Sequence, residues 1–265
     1  MKSIMETSLK RIVHLLLLAA LSILTVNAKV ISYPAPKGET LSSDYMVEVD
    51  GVSVPVYMAK TQHHDKKYSI AYFDFSGTVT VKIESKLSLG HLNILPDKYA
   101  IHPSVNKDIA TFHLNEPCDI SFEPDGCNSP LILFCNELET DIPSKNDPNV
   151  IYFGPGEHNP ENGLIRLGSN QTLYLAGGAV VNAGIEATGD NITICGRGIL
   201  DGSDWEHNAG PTDYMINAKN CNNLVMRDII IKGSYYWTIV PQNCDRVLID
   251  RIRSVSYTHL RAHET

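Results

Sequence analysis

Asp201, Asp204, Glu206 and His207 lie close together in the sequence and surround Trp205. Carboxylates beside an imidazole can hold and pass protons, so the group contains every part of an acid/base set. Trp205 in their midst offers a flat apolar face to a ring-shaped ligand. Two plainer roles compete with catalysis. Asp201 stands in a Leu-Asp-Gly turn, where an aspartate commonly accepts hydrogen bonds from its own backbone. Asp204 to His207 belong to a polar stretch, Ser203 to Asp213, that reads as a solvated loop. The densest aromatic group is Tyr235-Tyr236-Trp237. Strand alternation would place Tyr236 on one face and Tyr235 with Trp237 on the other, one face in a core and the other free to meet a ligand. Trp205, His207, Tyr236 and Trp237 are therefore the candidate binding residues, and no residue is assigned to catalysis.

Other clusters carry less chemistry. Gly196-x-Gly198 lacks the third glycine and the following helix of a dinucleotide loop, and Gly154-Pro155-Gly156 reads as a turn. His63-His64-Asp65 sits in a lysine-rich loop and reads as surface. Without a Cys-x-x-Cys pair a structural zinc site has no support, and no metal or cofactor is expected. The six cysteines permit disulfides in an oxidising compartment. Cys221 and Cys244 would stack on neighbouring coils, either as a bridge or as a ladder of buried thiols. Asn170-Gln171-Thr172 and Asn191-Ile192-Thr193 match glycosylation acceptors, and strand-turn asparagines explain them equally well.

The elements that must position these residues are short strands. From Lys29 to Asn146 about eight strands are expected, with no helix, which suggests a β-sandwich. Met46 to Val49 and Val52 to Met58 flank Asp50-Gly51 and read as a tight hairpin. Tyr68 to Phe75 and Thr78 to Glu84 flank Ser76-Gly77 and read the same way. Cys118 to Phe122 and Leu131 to Cys135 are joined across Pro124-Asp125-Gly126. Thr140 to Asn149 reads as a linker. From Val150 a loose repeat takes over. Asn170, Asn191, Asn223 and Arg246 each precede a short apolar strand, at spacings of 21, 32 and 23 residues. Asn220-Cys221 recurs as Asn243-Cys244. Strands repeating at just over twenty residues fit a parallel β-helix, in which each coil stacks on the last.

The ends read differently from the middle. Lys2, Lys10 and Arg11 precede an apolar run, Ile12 to Val26, and Val26-Asn27-Ala28 closes it, the order of a secretory leader cut after Ala28. The run is short for a bilayer and His14 and Ser22 interrupt it, so an exported chain with no membrane attachment is expected. Residues Val255 to Thr265 look like in-frame translation of a sequencing adapter, so His259, His263 and Glu264 are not taken as a metal site. Genuine mature sequence then runs from Lys29 to about Ser254. Hydrophobic residues at 43% and charged residues at 20% exclude disordered, collagen-like and coiled-coil chains. The net charge of −8 argues against a nucleic-acid partner.

Four segments in order carry a family resemblance: Tyr152-Phe153-Gly154-Pro155-Gly156-Glu157-His158, Gln171 to Ala179, Gly196-Arg197-Gly198-Ile199-Leu200-Asp201-Gly202, and Trp237-Thr238-Ile239-Val240-Pro241 ahead of Asn243-Cys244. Together they resemble the polygalacturonase-like glycoside hydrolases of family 28. The sandwich-then-helix order also looks like the related dextranase family 49. The resemblance implies an all-β chain, a β-sandwich followed by the first coils of a right-handed parallel β-helix. It implies an exported, monomeric enzyme that hydrolyses a galacturonan-type polysaccharide with inversion, using two carboxylates roughly 6.5–9.5 Å apart. The family's Asn-Thr-Asp, Asp-Asp, Gly-His-Gly and Arg-Ile-Lys motifs do not occur here. The first would fall at or just after Ser254, so the chain is expected to be an inactive N-terminal fragment. Val240 stands where the family often has histidine. A dextranase-like hydrolase and a non-catalytic glycan-binding or adhesin β-helix are the alternatives.

Overall fold

The computed structural model describes residues 28–60 and 67–255. The leader, the His63-His64-Asp65 loop and the His259, His263 and Glu264 group lie outside the described residues. Within them the chain is all-β, with only two single 3-10 turns, at Asp97–Tyr99 and Glu161–Gly163.

Eleven strands between Lys29 and Glu137 form two sheets. One is antiparallel, built from Tyr45–Val49, Val52–Val54, Val79–Ser85, Ser104–Asn106 and Ile109–Leu114. In Tyr45–Val49, Val79–Ser85 and Ile109–Leu114 alternate residues point inward, as Val79, Val81 and Ile83 do. The hairpin turn at Asp50-Gly51 forms as the sequence indicates, with Val49 facing Val52 and both turn residues at positive φ, 47° and 82°. The expected second arm, Val52 to Met58, divides: Val52–Val54 completes the hairpin and Val56–Lys60 joins the other sheet. The second expected hairpin does not form. Lys67–Ser76 and Val79–Ser85 belong to different sheets, so Ser76-Gly77 is a corner that carries the chain across the sandwich. Strand lengths and turn residues look alike in the two cases; only the partner chosen across the core separates them. Cys118–Cys127 does pair antiparallel with Leu131–Glu137, but it continues through Pro124-Asp125-Gly126 and turns at 128–130.

The second sheet is mixed, because Leu131–Glu137 runs parallel to Lys67–Ser76. Its inner face contributes Phe73, Phe75, Ile120, Phe122, Leu131 and Leu133 to the sandwich core. Its outer face is buried as well. Tyr57, Ala59, Ile70, Tyr72 and Phe134 pack on Val180, Ile199, Ile230 and Val255 of the following domain. This double burial explains why Ser69 through Phe75 is a continuous buried run rather than an alternating one. Val255, which the sequence reading places in the non-native tail, closes the strand Arg253–Val255 and lies in that contact.

After a strandless connection at 138–149, two parallel sheets stack coil on coil. One has Val150–Phe153, Thr172–Leu175, Gly184–Gly196, Ile216–Arg227 and Ile239–Gln242 in succession, with Leu164–Leu167 and Asp245–Asp250 at its sides. The other runs Gly156–His158, Ala179–Asn182, Ile199–Asp201, Ile230–Lys232, Arg253–Val255. Between them lie Leu173, Val181, Ile194, Leu200, Met226 and Ile231. This is a parallel β-helix.

Its turns explain the repeat. Asn170, Asn191, Asn223 and Arg246 all adopt positive φ, 63°, 56°, 61° and 50°, a conformation asparagine tolerates better than most side chains. The Asn191 amide donates to Asn170 Oδ1 at 3.0 Å and the Asn223 amide to Asn191 Oδ1 at 2.9 Å. A second ladder joins Asn243 to Asn220 at 2.6 Å. The two glycosylation-like asparagines are therefore rungs of a hydrogen-bonded ladder. Gly196 has φ 122°, and a Cβ there would lie 2.0 Å from the Leu175 carbonyl oxygen. Close stacking of neighbouring coils, not phosphate binding, accounts for the Gly-Arg-Gly motif. Cys118, Cys135, Cys195, Cys221 and Cys244 carry free thiols. The Cys221 backbone amide approaches Cys244 Sγ at 3.4 Å, so the coil-to-coil stacking occurs without a bridge.

Charge is concentrated where the domains meet. Arg197 extends from the β-helix to Asp74 of the mixed sheet, with Nε 3.1 Å from both carboxylate oxygens, and its Nη1 lies 2.9 Å from Asp228 Oδ1. The three side chains are 4%, 0% and 3% exposed. Lys232 bridges Glu39 at 2.5 Å and Asp201 at 2.9 Å, and Arg253 binds Asp119 at 2.9 Å.

Candidate functional site

The polar stretch Ser203 to Asp213 leaves the β-helix as an extra loop and folds back over its side. Backbone hydrogen bonds hold it there: the Asn208 amide donates to the Tyr235 carbonyl at 3.0 Å and the Met215 amide to the Trp237 carbonyl at 3.0 Å. Tyr235 is fully buried beneath the loop. Its hydroxyl lies 2.8 Å from Thr212 Oγ1 and donates to the Tyr214 carbonyl at 3.2 Å. Trp205 packs edge-on against Tyr235, with ring centroids 5.6 Å apart, and covers Gly163 so closely that a Cβ there would meet its ring at 2.5 Å. Half-buried in this way, Trp205 fastens the loop to the core.

Tyr236 and Trp237 follow on a bend rather than a strand, so the expected alternation fails. They stack on the same side, with centroids 5.8 Å apart and planes 16° apart. Tyr214 from the loop joins them, 6.0 Å from Tyr236 and 5.9 Å from Trp237, its plane within 23° of each. Three nearly equal separations make the group a triangle of roughly parallel rings. Tyr236 is 36% and Trp237 61% exposed. His207 meets Tyr236 edge-on at 5.5 Å and forms the rim. Of the four residues singled out in the sequence, Tyr236, Trp237 and His207 thus come together, while Trp205 lies behind them.

Next to the triangle an open cavity of about 480 Å³ is lined by Glu186, Thr212, Asp213, Tyr214, Asn217 and Tyr236, among others. Its floor is the outward side of a β-helix sheet, where Arg166, Glu186, Asn217 and Val240 occupy one register on successive strands. Neighbouring rungs are about 4.8 Å apart. Glu186 is paired with Arg166 at 3.1 Å and Asp213 with Lys219 at 3.8 Å. Asn217 is 4% exposed, and its Oδ1 is buried with no hydrogen-bond partner. Neither Tyr214 nor Asn217 stands out in the sequence. The signal for Asn217 was available: Ile216 and Ala218 alternate with it into the core, which turns it outward.

The acid/base set is dispersed. Asp201 accepts from the Ser203 amide at 2.8 Å, the turn role expected of it, and binds Lys232 at the domain junction. Asp204 lines a smaller cavity of about 150 Å³ at that junction, with Glu39, Glu157 and Lys232. His207 faces Tyr236 instead. Among the described residues no group of three or more histidine, cysteine or carboxylate side chains is placed to hold a metal ion. No described helix is long and apolar enough to cross a membrane.

No protein-family model matches the chain, and no curated protein matches it. Among solved structures it is similar to Dex49A from Penicillium minioluteum, with a TM-score of 0.66 at 16% sequence identity. The similarity covers 85% of this chain and 60% of that one, so the chain spans less than two thirds of that protein's length. At this identity the likeness establishes the fold: a sandwich followed by a parallel β-helix is the architecture the two proteins share.

Proposed function

We propose that the chain is part of an exported polysaccharide hydrolase and that the aromatic triangle with its adjoining cavity holds the glycan. The observation that supports this most is the exposed stack of Tyr214, Tyr236 and Trp237 beside a polar trough. Pyranose rings present flat C–H faces that pack on aromatic rings, while their hydroxyls need polar partners nearby; the site offers both. Arg166, Glu186, Asn217 and Val240 recur one rung per strand along the β-helix beside it, a spacing that suits a linear polymer. The order of sequence motifs favours a galacturonan-type chain, and the likeness to Dex49A, a dextranase, favours an uncharged glucan.

Inverting hydrolysis requires a protonated acid and a free carboxylate base on opposite sides of the scissile bond. The two carboxylates lining the cavity, Glu186 and Asp213, are each engaged by a cation, and the family's aspartate motifs are absent from the sequence. On this reading the chain as given binds glycan without cleaving it. Affinity electrophoresis in gels containing dextran, xylan or polygalacturonate tests the first half, and retardation by at least one polymer is expected. A reducing-sugar assay tests the second; release from any of them overturns the claim of inactivity. Equal mobility in every gel overturns the glycan reading.

A further inference from the structure

A buried amide oxygen without a partner is costly, about 1–3 kcal/mol, and folded proteins rarely retain one without a use. Asn217 Oδ1 is such an atom, and it lies in the wall of the cavity beside the aromatic triangle. Its strand neighbours Ile216 and Ala218 point into the β-helix core, so the asparagine faces outward, toward the cavity that Thr212, Asp213, Tyr214 and Tyr236 also line. An amide has an acceptor end and a donor end, and the Oδ1 placed here is the end without a partner. A sugar hydroxyl, which both donates and accepts, satisfies either.

The charges around Asn217 narrow the choice further. Glu186 is the rung before it, Asp213 lines the same wall, and Lys219 is the one cation among the lining residues. Lys219 is committed to Asp213, and Arg166, one rung beyond, to Glu186. A uronate carboxylate entering here finds no uncommitted cation among the lining residues, and meets an acceptor oxygen that it cannot satisfy. An uncharged hydroxyl meets neither obstacle.

We propose that Asn217 is a specificity residue of this site, holding its amide for a hydroxyl of a neutral sugar ring and so selecting neutral over uronic glycans. The proposal rests on the reading that the triangle and cavity hold a glycan. Affinity electrophoresis of the full chain should show binding to at least one of dextran and xylan, with polygalacturonate bound at least tenfold more weakly. Asn217→Leu should bind the neutral polymer about tenfold less tightly while its Tm stays unchanged or rises, because an unsatisfied polar atom has been removed. A residue that merely held the fold together would give the opposite, a lower Tm. Asn217→Ala provides the same reading where leucine does not fit: the preference for the neutral polymer should collapse. Polygalacturonate bound as tightly as the neutral polymers overturns the proposal, as does an Asn217→Leu chain that loses stability and keeps its affinity. Both results leave the glycan reading standing. That reading falls separately, if Trp237→Ala leaves binding to every polymer unchanged.

Discussion

Replacing Arg197 by leucine tests whether the two domains are joined by charge neutralisation. In the native chain the guanidinium lies between Asp74 and Asp228, all three nearly inaccessible to water. Asp228 keeps Arg251 at 2.8 Å and Arg227 at 3.1 Å when Arg197 is lost. Asp74 keeps the Tyr33 hydroxyl, at 2.9 Å, and the Asn136 side chain, but no cation. The penalty therefore falls on Asp74, a fully buried carboxylate left without a counter-charge. Breaking such a pair costs about 3–5 kcal/mol, and Asp228's remaining partners put the expectation at the lower end. The pH dependence gives the sharper reading. Burial already pushes the Asp74 pKa up against the pull of Arg197; without the arginine it rises further. A carboxyl whose folded pKa exceeds its unfolded one stabilises the fold below the unfolded value and loses that contribution as pH rises through the folded one. The deficit of Arg197→Leu should accordingly be full near neutrality and shrink as pH falls and Asp74 takes up a proton. Urea unfolding followed by tryptophan fluorescence, at about pH 7 and about pH 4.5, measures both. Asp74→Asn added to Arg197→Leu should recover most of the loss at neutral pH. A neutral-pH deficit below about 1 kcal/mol, or one that does not shrink on acidification, refutes the reasoning.

Three further outcomes follow from the geometry. Gly196→Ala would force a Cβ to within 2.0 Å of the Leu175 carbonyl oxygen at φ 122°; a loss above about 4 kcal/mol, or insoluble protein on expression, is expected. Asn191→Ala removes the middle rung of its ladder and puts alanine at φ 56°, so urea unfolding should show a loss of about 1–2 kcal/mol. Asn191→Gly should lose less, because glycine adopts that φ freely. Trp237→Ala should change stability by less than about 0.5 kcal/mol, since the side chain is 61% exposed, yet abolish retardation in glycan-containing gels; a large fall in Tm would instead mark Trp237 as structural.

Much of the architecture was legible in the sequence because it depends on rules that act locally. Alternation in Val79–Ser85 marks a strand with one buried face, and Asp50-Gly51 supplies the two positive φ values of a tight hairpin. Asn170, Asn191 and Asn223 recur where successive coils of the β-helix bend through a left-handed residue, and that recurrence was enough to identify stacked coils. The aromatic residues Tyr236 and Trp237 were legible as candidates, though not their shared side, because a bend replaces the strand on which alternation depends.

Other features were settled only by the tertiary structure, for one physical reason: they depend on which distant segments come to lie side by side. Ser76-Gly77 resembles a hairpin until the two flanking strands choose different sheets. Tyr57, Ile70 and Tyr72 resemble ordinary strand residues until the β-helix covers the outer face they occupy. Asp201 and Asp204 resemble partners of His207 until the loop path carries them to the domain junction, away from Tyr236. Tyr214 carries no local signal of function, and for Asn217 alternation with Ile216 and Ala218 gives only its outward direction, not what it meets. The register between coils sets Asn217 beside Glu186, and the fold-back of the loop sets Tyr214 against Trp237. Local pattern fixes what each coil is; stacking alone fixes what each coil meets.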